Sequence, residues 1–194
     1  MPPVYPTPGQ VLNGVPYGPT GAEFTGTLGG PVSGSGPILE QIAAAIAARL
    51  ATITAANGYA VTVDSVVRPK RSGEGFCPRD YGVALLQDAA PNAPELVLSA
   101  GSQGVTIEQW RQRFTVDLVC RVSDGSATAV DTLLNQFLAE VQRAIWLDES
   151  WGGLALNTEA AGTEYPAVGA AQEGVSLLLD VIYRVRQGNP YVQG

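Results

Sequence analysis

Apolar residues recur at helical spacing in two separate stretches of the chain. The first stretch carries an apolar residue every three or four positions between Ile38 and Ile53, so one side of a helix there would be apolar. Pro37 suits the first turn of this helix, because its missing N–H needs no partner at that position. Asn57 and Gly58 then supply a stop signal. The pattern predicts a first helix that begins at Pro37.

The second helical stretch lies later in the chain and has a broader apolar stripe. Its apolar positions run from Val130 to Ile145 at intervals of three or four residues. Ser126, or Asp124 just before it, has the short polar side chain that caps helix N-termini. We therefore predict a second helix, capped by one of these two residues, that packs its stripe against a sheet.

Alternating apolar and polar residues predict strands between and after the helices. The clearest alternation covers residues 113–122, and another covers residues 174–186. Leu178 and Ile182 also place apolar side chains on the second face of the last strand, so this strand should be buried on both sides over part of its length and lie inside the sheet. Shorter strand patterns lie at residues 59–68, 81–88 and 95–100, and residues 154–165 are more loosely extended.

Together these elements predict an α+β fold. Its core would be an antiparallel or mixed sheet of about four to six strands, with the two main helices packed on one face. Residues 1–37 would form an irregular arm rich in proline and glycine, residues 38–188 the single core domain, and residues 189–194 a short C-terminal tail.

The N-terminal arm cannot build regular structure by itself. Proline lacks an N–H donor and glycine loses much conformational entropy on ordering, so the arm needs another surface on which to order. Spaced apolar side chains along it are the candidates for burial on a neighbouring subunit. These residues are Val11, Leu12, Tyr17, Phe24 and Leu28.

The charge balance argues against nucleic acid and membrane as main partners. The chain has 11 Lys and Arg against 18 Asp and Glu, a net charge of −7, and so lacks the basic face that nucleic-acid binding normally requires. Glu40, Gln41 and Arg49 interrupt the Ala-rich first helix, so the sequence does not predict that this helix spans a membrane. The first ten residues lack a secretory signal, so we expect synthesis in the cytosol.

Candidate catalytic chemistry is sparse. The chain has no histidine, which excludes Ser-His-Asp and Cys-His catalysis and the commonest transition-metal ligand. No GxxxxGK[ST] phosphate loop is present, and the carboxylates stand singly apart from Asp148-Glu149. We therefore expect no enzyme, no cofactor and no metal site.

The two cysteines, Cys77 and Cys120, lie far apart and lack CxxC spacing. We expect free thiols, with Cys120 acting as a small apolar residue on its strand. A disulfide stays open as an alternative if the compartment is oxidising. Cys77 lies near Arg79, but without a histidine a packing or surface role is favoured over a reactive thiolate.

A local basic cluster frames the loop after residue 67. It consists of Arg68, Lys70, Arg71 and Arg79. Such a cluster is usually a solvated loop, and the alternative is an electrostatic contact with an acidic neighbouring subunit or with DNA. Arg111, Arg113 and Arg121 lie instead on the polar side of their strand, where they could form salt bridges across it.

Two tryptophans bracket the end of the second helix. Trp146 and Trp151 are typical of core lids, and exposed tryptophans at these positions would instead mark an interface with another subunit or partner. Trp146 and Trp151 are therefore both candidate residues for contact with another subunit or partner.

A longer pattern covers residues 38–190. An apolar helix ends in "NGY", a strand closes on "VVRP", and the strand "RFTVDLVCRV" leads into an Ala/Leu helix. The chain continues through "WGGLALNTEAAGTEYPAVG" and finishes on "LLLDVIYRVRQGNPY". In this run the chain resembles the tail terminator and tail-completion proteins of long-tailed bacteriophages and related prophages. The residues that match the family pattern are Gly152, Gly153, Leu154, Tyr183, Arg184, Asn189 and Pro190.

The resemblance implies a virion structural protein of the tail or neck, assembled in the cytoplasm of a bacterial host. Such proteins form a ring, usually a hexamer, that caps the tail tube, ends its polymerisation and presents a docking surface to the head. The implied partners are further copies of the chain, the tail tube protein and a head-completion or neck protein, with passive contact with DNA in the channel. The N-terminal arm is extra to the family pattern.

Three other functions stay open. A head-side neck or adaptor protein of the same particle is the nearest alternative. A small ligand-binding module with an α+β pocket is the second, and an enzyme is the least favoured.

Overall fold

The computed structural model describes residues 11–12, 15–16, 36–68, 80–89, 91, 93–100, 104–121, 129–165 and 172–194. The chain divides into two units, Met1–Val32 and Ser33–Gly194. In the first unit, strands β1 (Val11–Leu12) and β2 (Val15–Pro16) form an antiparallel hairpin. This short ladder corrects the expectation that residues 1–37 build no regular structure of their own. The second unit has two helices and a seven-stranded mixed sheet in its described part, which confirms the predicted α+β class.

The first predicted helix is confirmed as α1 (Ile38–Ala51). Glu40 lies in its first turn and Arg49 in its last, where each charge opposes the nearby end of the helix dipole. After α1, a short 3₁₀ turn at Ala55–Asn57 ends at Gly58, whose φ of 79° is a conformation that glycine adopts at little cost. The predicted stop signal therefore lies in this turn, just after the helix.

The second helix, α2 (Val130–Ile145), begins later than the sequence predicts. Ala129 occupies the N-cap position and makes no side-chain cap hydrogen bond, so the prediction of Ser126 or Asp124 as the cap is wrong. Both of those residues lie outside the described part of the chain. The predicted stripe is confirmed where Leu134, Phe137 and Val141 are buried. Neither described helix is long and apolar enough to cross a membrane.

One sheet organises the second unit. Its main strand order is β3-β4-β6-β8-β7, β5 pairs with β6, and β9 pairs with β8. The β3–β4 pair is parallel and the other pairs are antiparallel. The strands are β3 (Ser65–Val67), β4 (Tyr81–Gln87), β5 (Leu96–Ala100), β6 (Val105–Arg121), β7 (Asn157–Glu164), β8 (Gln172–Arg186) and β9 (Asn189–Gln193).

Three strand predictions need correction. The pattern at residues 59–68 predicts one strand, but only Ser65–Val67 forms a ladder. The preceding backbone is held by single bonds, such as Val63 N–H to the Ile53 carbonyl at 2.9 Å. β6 starts at Val105, well before the predicted start at residue 113. The segment 189–194, expected as a tail, contains a strand that pairs with β8.

The core lies between the two helices and one face of the sheet. Phe114, Val116, Leu118 and Cys120 of β6 are buried there, as the alternation predicts. They lie opposite alternate residues of β8, α2 packs over these two strands, and α1 packs over β3, β4 and β9. Each fully buried aliphatic side chain in such a core stabilises the fold by about 1.5–3 kcal/mol before the entropy of ordering is counted.

The last long strand is buried on both faces over part of its length, as predicted. On the face away from the helices, Ile182 is only 9% exposed and Leu178 is half-buried. β8 lies inside the sheet, between β6 on one side and both β7 and β9 on the other.

The sheet extends beyond the helices. β6 has 17 residues, which corresponds to about 58 Å at strand rise, whereas the 16 residues of α2 correspond to about 24 Å. Residues 105–111 of β6 are half-buried throughout, and alternate residues are buried only from Gln112 onward. The helices therefore cover the second half of β6 and leave its first half more open.

Candidate functional site

Two of the five predicted arm contacts lie among the described residues. Val11 and Leu12 form β1 of the N-terminal hairpin. Tyr17, Phe24 and Leu28 lie outside the described residues, so their burial on another subunit stays a prediction.

One residue of the predicted basic cluster is already paired within the subunit. The Arg68 guanidinium donates two hydrogen bonds to the Glu40 carboxylate, Nη1 to Oε1 at 2.5 Å and Nη2 to Oε2 at 3.0 Å. These bonds lower the pKa of the Glu40 carboxyl below its ordinary value. The pair ties the end of β3 to the first turn of α1 and partly neutralises Arg68. Lys70, Arg71 and Arg79 lie outside the described residues.

The two candidate tryptophans lie in different environments. Trp146, at the C-terminus of α2, is 36% exposed, and the next residue, Leu147, is 67% exposed. Trp151 is only 3% exposed and packs in the core. Trp146 and Leu147 therefore form an exposed apolar surface, whereas Trp151 is a core lid.

The turn that carries Trp151 has an unusual backbone. Trp151, Gly152 and Gly153 have consecutive positive φ angles of 55°, 71° and 86°. The Trp151 indole N–H donates to the Thr158 hydroxyl at 2.8 Å, and that hydroxyl donates to the Glu149 carbonyl at 2.7 Å. The buried ring and this pair of bonds hold a conformation that L side chains normally avoid.

Asp148 closes the same turn from the outside. Its carboxylate accepts hydrogen bonds from the Ser150 hydroxyl at 2.6 Å, the Ser150 N–H at 3.0 Å and the Gly152 N–H at 2.7 Å. Arg49 of α1 lies 3.8 Å away. The Ser150 hydroxyl bond is the main cause that lowers the pKa of Asp148. One carboxylate thus holds the Gly-Gly-Leu turn and connects it to α1.

A network of ion pairs covers the sheet face opposite the helices. We call this surface the charged face, and it comprises Glu95, Arg111, Arg113, Glu159 and Asp180. Arg111 donates to Glu95 and Glu159, each at 2.5 Å, and Arg113 holds Asp180 with bonds of 2.8 and 3.0 Å. The predicted cross-strand salt bridges of Arg111 and Arg113 are therefore confirmed.

The pKa shifts on the charged face favour the ionised form of both the acidic and the basic side chains. Bonds from Arg113 lower the pKa of Asp180, and the carboxylates of Glu159 and Glu95 raise the pKa of Arg111 further above its ordinary value. The Asp180 side chain is 13% exposed and the Arg113 side chain 47% exposed. The ion pairs of the charged face connect β6 with β7, with β8 and with Glu95, which directly precedes β5. Because its positive and negative side chains are nearly equal in number, the charged face has little net charge.

A groove of about 500 Å³ opens on the helix side of the sheet, beyond the N-terminus of α1. Trp110 of β6 and Tyr183 of β8 are cross-strand partners on its floor. Three prolines line its walls: Pro37 before α1, Pro91 between β4 and β5, and Pro190 at the start of β9. The groove therefore lies over the part of β6 that the helices leave open.

The groove contains polar groups without partners. Tyr183 is 7% exposed, and burial raises the pKa of its hydroxyl. Within the described chain, neither this hydroxyl nor the Trp110 indole N–H makes a hydrogen bond. Glu108 also lines the groove and forms no ion pair with any described residue. Two donors and one carboxylate thus lie among apolar side chains.

Sequence reasoning missed this groove. Residues 105–112 read "VTIEQWRQ", in which Glu108, Gln109 and Gln112 break the apolar alternation, so no strand is predicted there. The apolar alternation therefore does not mark Trp110 as a site residue. A tryptophan between polar residues, three positions before the predicted strand at residues 113–122, is the one signal in the sequence that marks it.

No arrangement for metal chemistry is visible in the parts of the chain that the structure describes. No three His, Cys, Asp or Glu side chains there are close enough together to hold a metal ion. The geometry instead offers surfaces for contact: the exposed end of α2, the charged face and the groove.

Comparisons with known proteins give little further information. No protein-family model matches the chain. No curated protein matches it. Among solved structures, one that carries no functional name aligns with 76% of this chain and 96% of its own, at 21% sequence identity and a TM-score of 0.40. A likeness at that level supports no conclusion about function.

Proposed function

We propose that the chain is a tail terminator of a long-tailed phage or a prophage-derived particle. Copies of it would form a ring, most simply a hexamer, on the finished tail tube, end tube polymerisation and present the surface on which the head docks. Its partners would be other copies of itself, the tail tube protein and a head-completion or neck protein.

The observation that carries the proposal is where the family-matching residues lie in the fold. Gly152 and Gly153 lie in the turn after α2, where their positive φ angles suit glycine. Tyr183 and Arg184 lie near the end of the long strand β8. Asn189 and Pro190 begin β9. The family pattern has the same succession: second helix, Gly-Gly-Leu turn, final long strand, then Asn-Pro.

Surface chemistry supports an assembly role. The chain has no histidine and only 15% charged residues, and Trp146 and Leu147 form an exposed apolar surface. Exposed tryptophan is enriched where proteins bind each other, because its ring buries a large area. A net charge of −7 would also limit adhesion of phosphates to a ring, so that DNA could pass through its channel.

The test is the mass of the purified chain by light scattering over a concentration series, followed by negative-stain imaging with and without tail tubes. We expect rings that attach to tube ends and stop further growth of the tube. Tubes that keep growing at the same rate in the presence of the protein would contradict the proposal.

The same experiment separates the nearest alternative. Rings that bind isolated head connectors and leave tube ends bare would favour a head-side neck or adaptor protein. A chain that stays monomeric with both tubes and connectors present would favour a ligand-binding module.

A further inference from the structure

We propose that the groove binds the proline-rich segment of residues 2–8, "PPVYPTP", from a neighbouring copy of the chain. This inference goes beyond the tail function. It needs a second copy but neither a tail tube nor a head, so either proposal can fail without the other.

The walls and floor of the groove suit proline. Trp110 and Tyr183 lie side by side across the β6–β8 ladder, and Pro37 and Pro190 flank them. Aromatic side chains arranged in this way form the grooves that bind proline-rich peptides, because a flat ring packs well against a pyrrolidine ring. Leu39 and Val185 add apolar surface between them.

The unpartnered donors suit the backbone of such a segment. A polyproline II helix forms no internal hydrogen bonds, so all of its carbonyl groups are available as acceptors. The Trp110 indole N–H and the Tyr183 hydroxyl have no acceptor among the described residues. A proline-rich segment in the groove would give both donors an acceptor.

The chain supplies a segment with the required spacing. Residues 2–8 contain Pro2, Pro3, Pro6 and Pro8. Because a polyproline II helix has three residues per turn, Pro3 and Pro6 would lie on the same side of it, about 9 Å apart, and could pack together against the aromatic floor and the apolar walls of the groove.

A neighbouring copy can supply this segment. Met1–Val32 forms a unit separate from Ser33–Gly194, so the segment is not part of the fold that builds the groove. Pro37, which joins the preceding chain to α1, lies at the groove itself. Residues 17–36, which follow the hairpin, can span up to about 66 Å when fully extended, which allows each copy to reach the groove of the next in a closed assembly.

The first experiment is a calorimetric titration with a synthetic peptide of residues 1–10. The receptor is the full-length chain carrying Pro3→Ala and Pro6→Ala, so that its own segment no longer competes. We expect saturable binding, and binding at least tenfold weaker by the same peptide with alanine at positions 3 and 6. No binding, or equal binding of the two peptides, would overturn the inference.

A matched pair of receptor variants tests the groove. Tyr183→Phe keeps the ring and removes the hydroxyl, and it should weaken peptide binding about three- to tenfold because one hydrogen bond is lost. Tyr165→Phe removes a hydroxyl from a residue that is 61% exposed and outside the groove, and it should change nothing. Equal affinities of the two variants would place the peptide elsewhere.

A spectroscopic readout does not depend on these variants. In the ¹⁵N-labelled chain, the indole N–H signal of Trp110 should shift as the peptide is added, whereas that of Trp146 should stay in place. Unchanged Trp110 signals at saturating peptide would overturn the inference.

The source of the segment is tested by self-association. We expect the wild-type chain to associate at lower concentration than the Pro3→Ala, Pro6→Ala chain in sedimentation experiments. Equal association, with peptide still bound by the alanine chain, would mean that the segment docks within its own copy, and the neighbouring-copy assignment would be wrong.

Discussion

Trp151 shows how one residue can hold a strained turn. In the described part of the chain it is the sole residue other than glycine with a positive φ. Its side chain is buried, and its indole N–H binds Thr158. The stability gained by burying the ring and forming this bond offsets the unfavourable backbone conformation.

Removing the indole donor should therefore destabilise the fold. We expect Trp151→Phe to lower the free energy of unfolding by about 1–2 kcal/mol, because a buried hydrogen bond is lost and a smaller ring leaves a void. Urea denaturation measures the change. Trp146→Phe is the matched control, since Trp146 is partly exposed. A Trp151→Phe chain as stable as this control would show that the bond contributes nothing.

Residue types predict some of this arrangement. The position of Trp151 near the end of a helix predicts either a core lid or an interface residue, and its burial in the structure shows that it is the lid. Gln112 is a polar residue whose burial the sequence does not predict. It is fully buried, and its side-chain amide donates to the Asp88 and Arg113 carbonyls. Sequence alone cannot reveal that two carbonyl groups are available there.

At the scale of elements, the pair between Arg113 of β6 and Asp180 of β8 should make stability depend on pH. Arg113 lowers the pKa of Asp180 in the folded chain, so folding favours the ionised carboxylate. This contribution is complete above about pH 4, the pKa of an unpaired aspartate, and is lost as the pH falls through the lower folded-state pKa.

Asp180→Asn tests this dependence. We expect the variant to lose about 1 kcal/mol at neutral pH, a modest value because Arg113 is about half exposed and solvent screens the pair. The difference from the wild type should shrink as urea midpoints are measured from about pH 7 down to about pH 3. Glu164→Gln, at an exposed position of β7, is the control. A difference that grows on acidification would contradict the assigned role of the pair.

The turn between α2 and β7 gives a second prediction at this scale. We expect Gly153→Ala to lower the free energy of unfolding by about 1 kcal/mol, because alanine is strained at a φ of 86°. No atom lies within 4 Å of the added methyl group, so the loss would come from the backbone alone. Gly36→Ala is the control, since Gly36 does not have a positive φ and its methyl group would make ordinary contact with Glu40. Equal thermal stability of the two variants would contradict the assignment.

Periodicity predicts an element well where one face is uniformly apolar. The alternation from Phe114 to Cys120 and the stripe of α2 both lie against the core as expected. Periodicity fails at residues 59–64, because a residue can be buried without belonging to a hydrogen-bonded strand. Val61 and Val63 are buried, yet these residues do not form a strand. Periodicity also fails for β9. The sequence "GNPY" predicts an irregular C-terminal tail, but Gly188, with a φ of 74°, forms a tight turn that leads from β8 into β9.

For the whole molecule, the exposed end of α2 is the surface on which assembly can be tested most directly. If Trp146 is buried between copies, we expect Trp146→Ala to raise the dissociation constant of the ring at least tenfold, since a buried interface tryptophan often contributes about 2 kcal/mol or more. Light scattering over a dilution series measures this. Tyr165→Ala, another exposed aromatic residue, is the control. Rings that dissociate at the same concentration in both variants would remove Trp146 from the interface.

The mismatch in length between β6 and the helices also has a consequence for motion. Amide protons near Val116 lie in the middle of the sheet under the helices, and they should exchange with solvent only through global unfolding. Those near Thr106, beyond the helices, need only a local opening. One continuous strand would therefore have slow and fast deuterium uptake at its two ends, and the fast end is the one that forms the floor of the groove.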